Sequence, residues 1–134
     1  MVIREFEQID SWKVARDLCR RVFWLCERPS MSRSFALRDQ IMRSSISVMA
    51  NIAEGFERQS KKDFVKFLNY ASASAAELQS HLYVALDCGC ISEEEFTDTY
   101  EMAKQVKRLI NGFINYLKKI CSTAALQHCS TGEQ

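Results

Sequence analysis

Apolar residues recur at alternating steps of three and four along four long segments of the chain. Such steps place side chains on one face of a helix, so the pattern predicts four amphipathic helices over about 11–28, 35–55, 61–88 and 93–120. The predicted core-facing residues are Trp12, Ala15, Leu18, Cys19, Val22, Leu25 and Cys26 in the first helix; Leu37, Ile41, Ile46, Val48, Met49, Ile52 and Ala53 in the second; Phe64, Phe67, Leu68, Ala71, Ala75, Leu78, Leu82 and Ala85 in the third; and Phe96, Tyr100, Ala103, Val106, Ile110, Phe113, Leu117 and Ile120 in the fourth.

Breaker and capping residues mark the ends of the first two helices. Pro29 lacks a backbone N–H and clashes with the preceding turn, so the first helix is predicted to end there, with residues 28–33 as a loop. Ser34 is placed to cap the second helix. Gly55 is predicted to end that helix in the left-handed conformation that glycine adopts readily.

The third and fourth helices carry clearer start signals. Ser60 precedes Asp63 as a capping hydroxyl with an acid in the first turn, and Ser92 and Glu95 have the Ser-x-x-Glu spacing of a capping box. The run of small residues at 71–76 makes the third helix thin in its middle. Another helix can therefore approach it closely there.

The short connections predict that helices adjacent in sequence pack as antiparallel neighbours. With 134 residues and a hydrophobic fraction of 47%, the chain has the size and composition of one globular domain. We therefore predict an all-α fold, an antiparallel up-down-up-down four-helix bundle over residues 1–121, with a flexible tail over 122–134. A three-helix bundle with the remaining helix docked elsewhere is the competing arrangement.

The cellular environment is indicated by the N-terminus and the cysteines. No charged stretch followed by an apolar run is present, and no apolar segment is long enough to span a membrane, so we expect a cytoplasmic protein without a membrane partner. The six cysteines are expected to be reduced thiols that fill space in the core. Cys88, Cys90 and Cys129, with His81 and His128, match no standard zinc spacing, so no metal site is predicted.

Residue types that carry catalysis are scarce. The chain has no Gly-rich phosphate loop, no nucleophile elbow, no His-x-x-x-His pair and only two histidines. Neither histidine follows a Glu at the spacing that a di-iron bundle requires. Glu93, Glu94 and Glu95 fall in the first turn of a helix, where acids stabilise the helix dipole. We therefore predict that the protein is not an enzyme and holds no cofactor.

A polar stripe follows the second predicted helix at helical spacing. It is rich in Ser and Asn, which form helices less readily than the Lys, Glu and Ala expected on a plain solvated face. A hydrogen-bonded network at a subunit interface or in a groove is one interpretation, and an ordinary solvated face is the other. The stripe comprises Arg43, Ser47, Asn51, Glu54 and Arg58, and the third helix carries a matching row in Tyr70, Ser74, Glu77 and His81.

Charge is unevenly distributed, although the net charge is only +1. Residues 67–103 contain no Lys or Arg but seven acids, so the rest of the chain is basic. A basic cluster lies around the start of the third helix, where free backbone amides already favour anions, and phosphate contact is the chemistry that such a cluster supports. The cluster comprises Arg58, Lys61, Lys62 and Lys66.

A family resemblance is carried by residues 40–56, which read QIMRSSISVMANIAEGF, and by the Ser-Lys-Lys-Asp-Phe that begins at Ser60. These residues resemble the small four-helix bundle proteins encoded in intervening sequences of 23S ribosomal RNA genes. The likeness extends from Phe6 to Lys119. Met49 departs from it, because the family often carries a proline there, so the second helix is expected to run straighter.

The resemblance implies a non-enzymatic four-helix bundle that assembles into a ring, typically a homopentamer. A related accessory protein of diversity-generating retroelements works with a reverse transcriptase and binds nucleic acid. The resemblance then implies a polar network at or near the subunit contact, formed by Arg43, Ser47, Asn51, Glu54 and Glu77, and phosphate contact by the basic cluster. The leading hypothesis is a ring that binds RNA or DNA through charge. The rival is a protein-interaction scaffold without a nucleic-acid role.

Overall fold

A computed structural model describes residues 2–128 of the chain, and the side chains of residues 2–120. A short 3-10 turn at Phe6–Gln8 precedes five helices, and the described residues contain no strand. The helices are α1 (Asp10–Cys26), α2 (Pro29–Ser32), α3 (Phe35–Phe56), α4 (Lys61–Asp87) and α5 (Glu93–His128).

The four long helices form an antiparallel bundle in which α1 and α4 lie diagonally. Helix α1 packs against α3 and α5, and α4 packs against the same two helices. Antiparallel packing of α4 and α5 is shown by two contacts at opposite ends, Phe64 with Phe113 and Tyr83 with Phe96. The predicted all-α four-helix bundle is confirmed, and the three-helix alternative is excluded.

The apolar stripes of the four helices meet in one core. Fully buried aliphatic side chains each contribute about 1.5–3 kcal/mol relative to an exposed position. Ala71 and Ala75 are also fully buried, as expected where a neighbouring helix lies close to α4. The largest fully buried side chains are Leu18, Val22, Leu25, Met31, Ile41, Val48, Ile52, Leu68, Leu78, Leu82, Val106 and Ile110.

The prediction that Ile46 of α3 faces the core is wrong. Ile46 is 45% exposed, whereas Ser44 and Ser45 are buried. The two serines can occupy the interior because their hydroxyls donate to helix carbonyls one turn back, those of Ile41 at 3.1 Å and Met42 at 2.8 Å. A buried hydroxyl that is hydrogen-bonded in this way avoids most of the cost of leaving water.

The connection between α1 and α3 also differs from the prediction. Residues 29–32 form α2 instead of a loop, and Pro29 occupies its first turn, where a missing N–H removes no helical hydrogen bond. Ser34 precedes α3 but does not cap it with its side chain. Its hydroxyl donates instead to the carbonyl of Ser30 at 3.1 Å, so it holds α2 against the start of α3.

The prediction that Gly55 ends a helix in a left-handed conformation is wrong. Gly55 lies inside α3, which continues to Phe56, and among the described residues only Gly89 has a positive φ, at 73°. The reason for glycine here is steric. A Cβ on Gly55 would lie 2.7 Å from Cβ of Phe67 and 3.0 Å from Cδ1 of Phe64, both on α4.

The predicted starts of α4 and α5 are confirmed. The Ser60 hydroxyl accepts from the Asp63 amide at 3.1 Å. Ser92 and Glu95 form both hydrogen bonds of the capping box, at 3.1 and 2.9 Å. Helix α5 continues beyond its predicted end near residue 120 to His128. The remainder of the predicted tail, residues 129–134, lies outside the described residues.

Candidate functional site

The centre of the predicted polar stripe lies in the seam between α3 and α4. The hydroxyls of Ser47 and Ser74 are 2.8 Å apart, and one donates to the other. The Asn51 amide donates to the Ser47 carbonyl at 2.9 Å and to the Ser47 hydroxyl at 3.0 Å. These half-buried residues therefore form a polar network that joins two helices of one subunit.

The other residues of the predicted network lie outside this cluster. Arg58 donates to Glu54 at 2.7 Å, and Glu77 lies 3.4 Å from the His81 ring. Arg43 donates to Gln40 at 2.6 Å. Each pair joins residues three or four apart in sequence, and such exposed pairs stabilise a protein by at most about 1 kcal/mol. Within the described residues the stripe thus forms one inter-helix network and separate surface pairs.

The Ser47–Ser74 hydrogen bond should contribute measurably to stability. We expect Ser74→Ala to lower the free energy of unfolding by about 0.5–1.5 kcal/mol relative to Ser72→Ala in urea denaturation. Both substitutions gain the same helix propensity, and no hydrogen bond of the Ser72 hydroxyl is described, so the difference isolates the bond. Equal stability of the two variants would show that the seam does not depend on it.

The basic cluster lies at the start of α4, as predicted. Lys61 and Lys62 occupy its first turn, and neither forms an ion pair with any described residue. The Arg58 guanidinium lies 4.4 Å from the centre of the Phe67 ring, and the Lys66 ammonium 6.0 Å from that of Tyr70. Positive charge and exposed aromatic surface are therefore combined on one face.

Phe67 and Tyr70 were missed as parts of this surface by the sequence analysis. Their rings contact each other, with centroids 5.4 Å apart, and Tyr70 is 45% exposed. The sequence does contain a signal for this surface, because Lys66 and Tyr70 are one helical turn apart on α4 and so lie on the same face. Aromatic rings beside cations are the groups on which nucleic-acid bases stack.

The acidic stretch at the start of α5 is partly neutralised within the subunit. Arg28 forms an ion pair with Glu95, and Arg21 lies 3.5 Å from Asp98. Both arginines belong to α1 or the turn after it, so the pairs join α1 to α5. Glu93 and Glu94 are exposed and form no ion pair with a described residue.

Exposed apolar side chains occur on all four long helices, including the diagonal helices α1 and α4. Phe23 and Trp24 lie on α1, where Trp24 is 49% exposed beside the Arg21 guanidinium. Tyr83 and Val84 lie on α4 and are similarly exposed. The molecule therefore carries apolar surface on two helices that lie on opposite sides of the bundle.

The described cysteines are free thiols. Burial raises the pKa of the Cys26 thiol to about 11, so this thiol is protonated and unreactive at neutral pH. Cys90 is buried with its sulfur 3.8 Å from the Ser34 hydroxyl, whereas Cys88 is exposed. Among the described residues no three His, Cys, Asp or Glu side chains are grouped closely enough to hold a metal ion. The side chains of His128 and Cys129 lie outside them.

Comparison with known proteins identifies the family. The sequence model of the 23S rRNA-intervening sequence protein family matches residues 7–112, most of the chain. The chain belongs to the 23S rRNA-intervening sequence protein family. The resemblance of residues 40–56 is thereby confirmed. No curated protein matches the chain.

A solved structure is similar to this member of the intervening-sequence family. It is a crystal structure of a protein with unknown function from the S23 ribosomal protein family of Bacteroides thetaiotaomicron. The two chains are 25% identical and superpose with a TM-score of 0.73, over 78% of this chain and 97% of the other.

Of the helices described here, none has the length and apolar character that crossing a membrane requires.

Proposed function

We propose that the protein is a non-enzymatic, ring-forming bundle, a homopentamer that binds RNA or DNA through charge in the cytoplasm. The observation that carries the nucleic-acid proposal is the pair Lys61 and Lys62, cations in the first turn of α4 that no described carboxylate neutralises. A lysine that is already paired with a carboxylate contributes less binding free energy to a phosphate contact, because the existing ion pair must first be broken.

Two further features of α4 support phosphate binding. The free N–H groups of its first turn carry partial positive charge and favour an anion. Lys66 and Tyr70, one to two turns further along, continue the surface with a cation and an exposed ring. A flexible single strand can place a phosphate at the lysines and stack a base on the ring, since stacking requires no particular base.

The ring is supported by the positions of the exposed apolar residues. In a ring, each subunit uses two different surfaces, one for each neighbour. Phe23 and Trp24 on α1, with Tyr83 and Val84 on the diagonal helix α4, supply two such surfaces. Large exposed apolar side chains that lie side by side, as adjacent residues of each helix do here, are commonly part of a site of association.

Charge reversal at the start of α4 tests the nucleic-acid proposal. We expect Lys61→Glu with Lys62→Glu to weaken binding of single-stranded RNA, measured by fluorescence anisotropy. The slope of log affinity against log salt should fall by about 1.4 for each subunit that contacts the strand, because two phosphate contacts are lost.

The control for that experiment makes the same charge change elsewhere. Arg20 on α1 and Lys104 on α5 are exposed cations outside the basic cluster. Arg20→Glu with Lys104→Glu should leave the salt slope near the wild-type value. Equal losses in the two double variants would mean that RNA responds only to net charge, and the start of α4 would not be the contact surface.

A protein-interaction scaffold is the second candidate function. Glu93 and Glu94 favour it, because these exposed acids at the start of α5 repel nucleic acid and can attract a basic protein. A ring that fails to bind RNA even at low salt would support the scaffold and exclude the nucleic-acid role.

A further inference from the structure

A groove between the N-terminal segment and α5 has no part in the surfaces described above. It encloses about 410 Å³, within the range of small-molecule sites. Its walls are apolar and come from the residues before α1 and from one face of α5. They include Ile3, Ile9, Leu109 and Phe113.

Gly112 forms part of the floor of this groove. A Cβ built on Gly112 would have no neighbouring atom within 4 Å, in contrast with Gly55, where a helix packs against the backbone. Glycine in an exposed helix interior destabilises the helix relative to alanine. No contact within the described subunit compensates for that loss, and the space above Gly112 belongs to the groove.

An unpartnered buried hydroxyl lies next to the groove. Ser11 lines it and is only 2% exposed, yet its Oγ has no hydrogen-bond partner among the described residues. A buried polar group without a partner is unfavourable, and native proteins rarely retain one. The Ser11 oxygen has almost no exposed surface of its own, so it lies behind the wall of the groove and is not open to a ligand.

The charges at the rim favour an anion. Lys13 and Asp10 lie 3.9 Å apart and largely offset each other. Arg108, one helical turn before Gly112, lines the groove and forms no ion pair with any described residue. The guanidinium of an unpaired arginine is well suited to hold a carboxylate through two parallel hydrogen bonds.

We propose that this groove binds a small organic carboxylate with an apolar body. The apolar body lies on Ile9, Leu109 and Phe113 above the space left by Gly112. The carboxylate accepts hydrogen bonds from the Arg108 guanidinium at the rim. This inference is independent of the proposed ring and of nucleic-acid binding, because none of its residues belongs to those surfaces.

Titration calorimetry of the full-length protein with ligands of matched chain length tests the proposal. Octanoate is expected to bind, hexanoate to bind on the order of tenfold more weakly because two methylenes are lost, and octylamine not to bind. Arg108→Gln should weaken octanoate about fivefold and leave octanol unchanged. Equal binding of octanoate and octylamine, or no octanoate binding at millimolar concentration, would overturn the proposal.

Two further variants locate the ligand. Gly112→Leu places a side chain in the groove, with a Cβ that meets no atom within 4 Å, and should abolish octanoate binding, whereas Asn111→Leu, an exposed neighbour that does not line the groove, should retain it. Ser11→Ala should raise the thermal midpoint of the free protein, since it removes the unpartnered buried hydroxyl. Circular dichroism checks that each variant is folded. Unchanged binding by Gly112→Leu would place the ligand elsewhere and contradict the proposal.

Discussion

Gly55→Val is expected to lower the free energy of unfolding by about 3 kcal/mol, because it forces a side chain between α3 and α4. A Cβ at this position would lie 2.7 Å from Cβ of Phe67 and 3.3 Å from the Phe64 backbone carbonyl. Neither atom is the end of a flexible side chain, so the helices themselves must separate. Separation would also lengthen the 2.8 Å Ser47–Ser74 hydrogen bond in the same seam. Urea denaturation of the two proteins measures the difference.

Gly112 provides the matched control for this prediction. It too lies in a helix interior, but a Cβ there meets no atom within 4 Å. Gly112→Val should therefore raise the free energy of unfolding slightly, by about 0.3 kcal/mol, through helix propensity alone. Two helical glycines would then respond to an added side chain with opposite signs. A Gly55→Val protein as stable as the wild type would show that the two helices do not approach each other as closely as described.

Trp24→Asp is expected to convert the proposed ring into monomers of 15.5 kDa, about one fifth of the mass of a pentamer. Trp24 is 49% exposed on α1, and large aromatic side chains carry much of the binding energy of protein interfaces. The substitution removes that contact and places a charge where burial without a partner is strongly unfavourable. Light scattering behind size exclusion measures the mass directly.

A charge on the exposed surface of α4 should also dissociate the assembly if the proposed ring joins α1 of one subunit to α4 of the next. Val84→Asp on α4 is expected to dissociate the assembly, since a head-to-tail contact requires both surfaces. Gln105→Asp, an exposed position on α5 away from both, introduces the same charge and should leave the assembly intact. Dissociation by all three variants would indicate a general effect of charge on assembly. It would contradict the proposal that the exposed surfaces of α1 and α4 form the subunit contact.

Much of the fold could be predicted from sequence because the deciding interactions are local. The three- and four-residue spacing of Leu68, Ala71, Ala75 and Leu78 depends only on helical geometry, and all four are buried as predicted. The capping residue Ser60 likewise acts on an amide three residues away. Interactions of this range leave a direct pattern in the sequence.

The errors concern interactions between distant residues. The role of Gly55 depends on Phe67, which reaches it only after α3 and α4 pack together. Ile46 fits an apolar stripe, but the packed helix turns Ser44 and Ser45 inward, and their hydrogen bonds to the helix carbonyls permit it. Spacing along one helix cannot distinguish these arrangements, because each depends on how a second helix lies against the first.

The candidate surfaces were predictable to different degrees. The position of Lys61 and Lys62 followed from the start of α4, a local feature. The polar stripe was predicted as one network, but only Ser47 and Asn51 belong to the inter-helix cluster, where Ser74 of α4 bonds Ser47 across the seam. Glu54 and Arg58 form a separate surface pair. The groove beside Gly112 had no sequence signal, since it forms where the N-terminal segment leaves α5 uncovered.

The most direct test of the central proposal is light scattering behind size exclusion, with and without a structured ribosomal RNA fragment, at two salt concentrations. A charge-driven ring predicts a mass near five subunits that shifts to a larger complex with RNA at low salt and returns toward the free ring at high salt. A monomer at all concentrations would contradict the ring. A ring whose mass is unchanged by RNA at low salt would contradict nucleic-acid binding and leave the protein scaffold as the function.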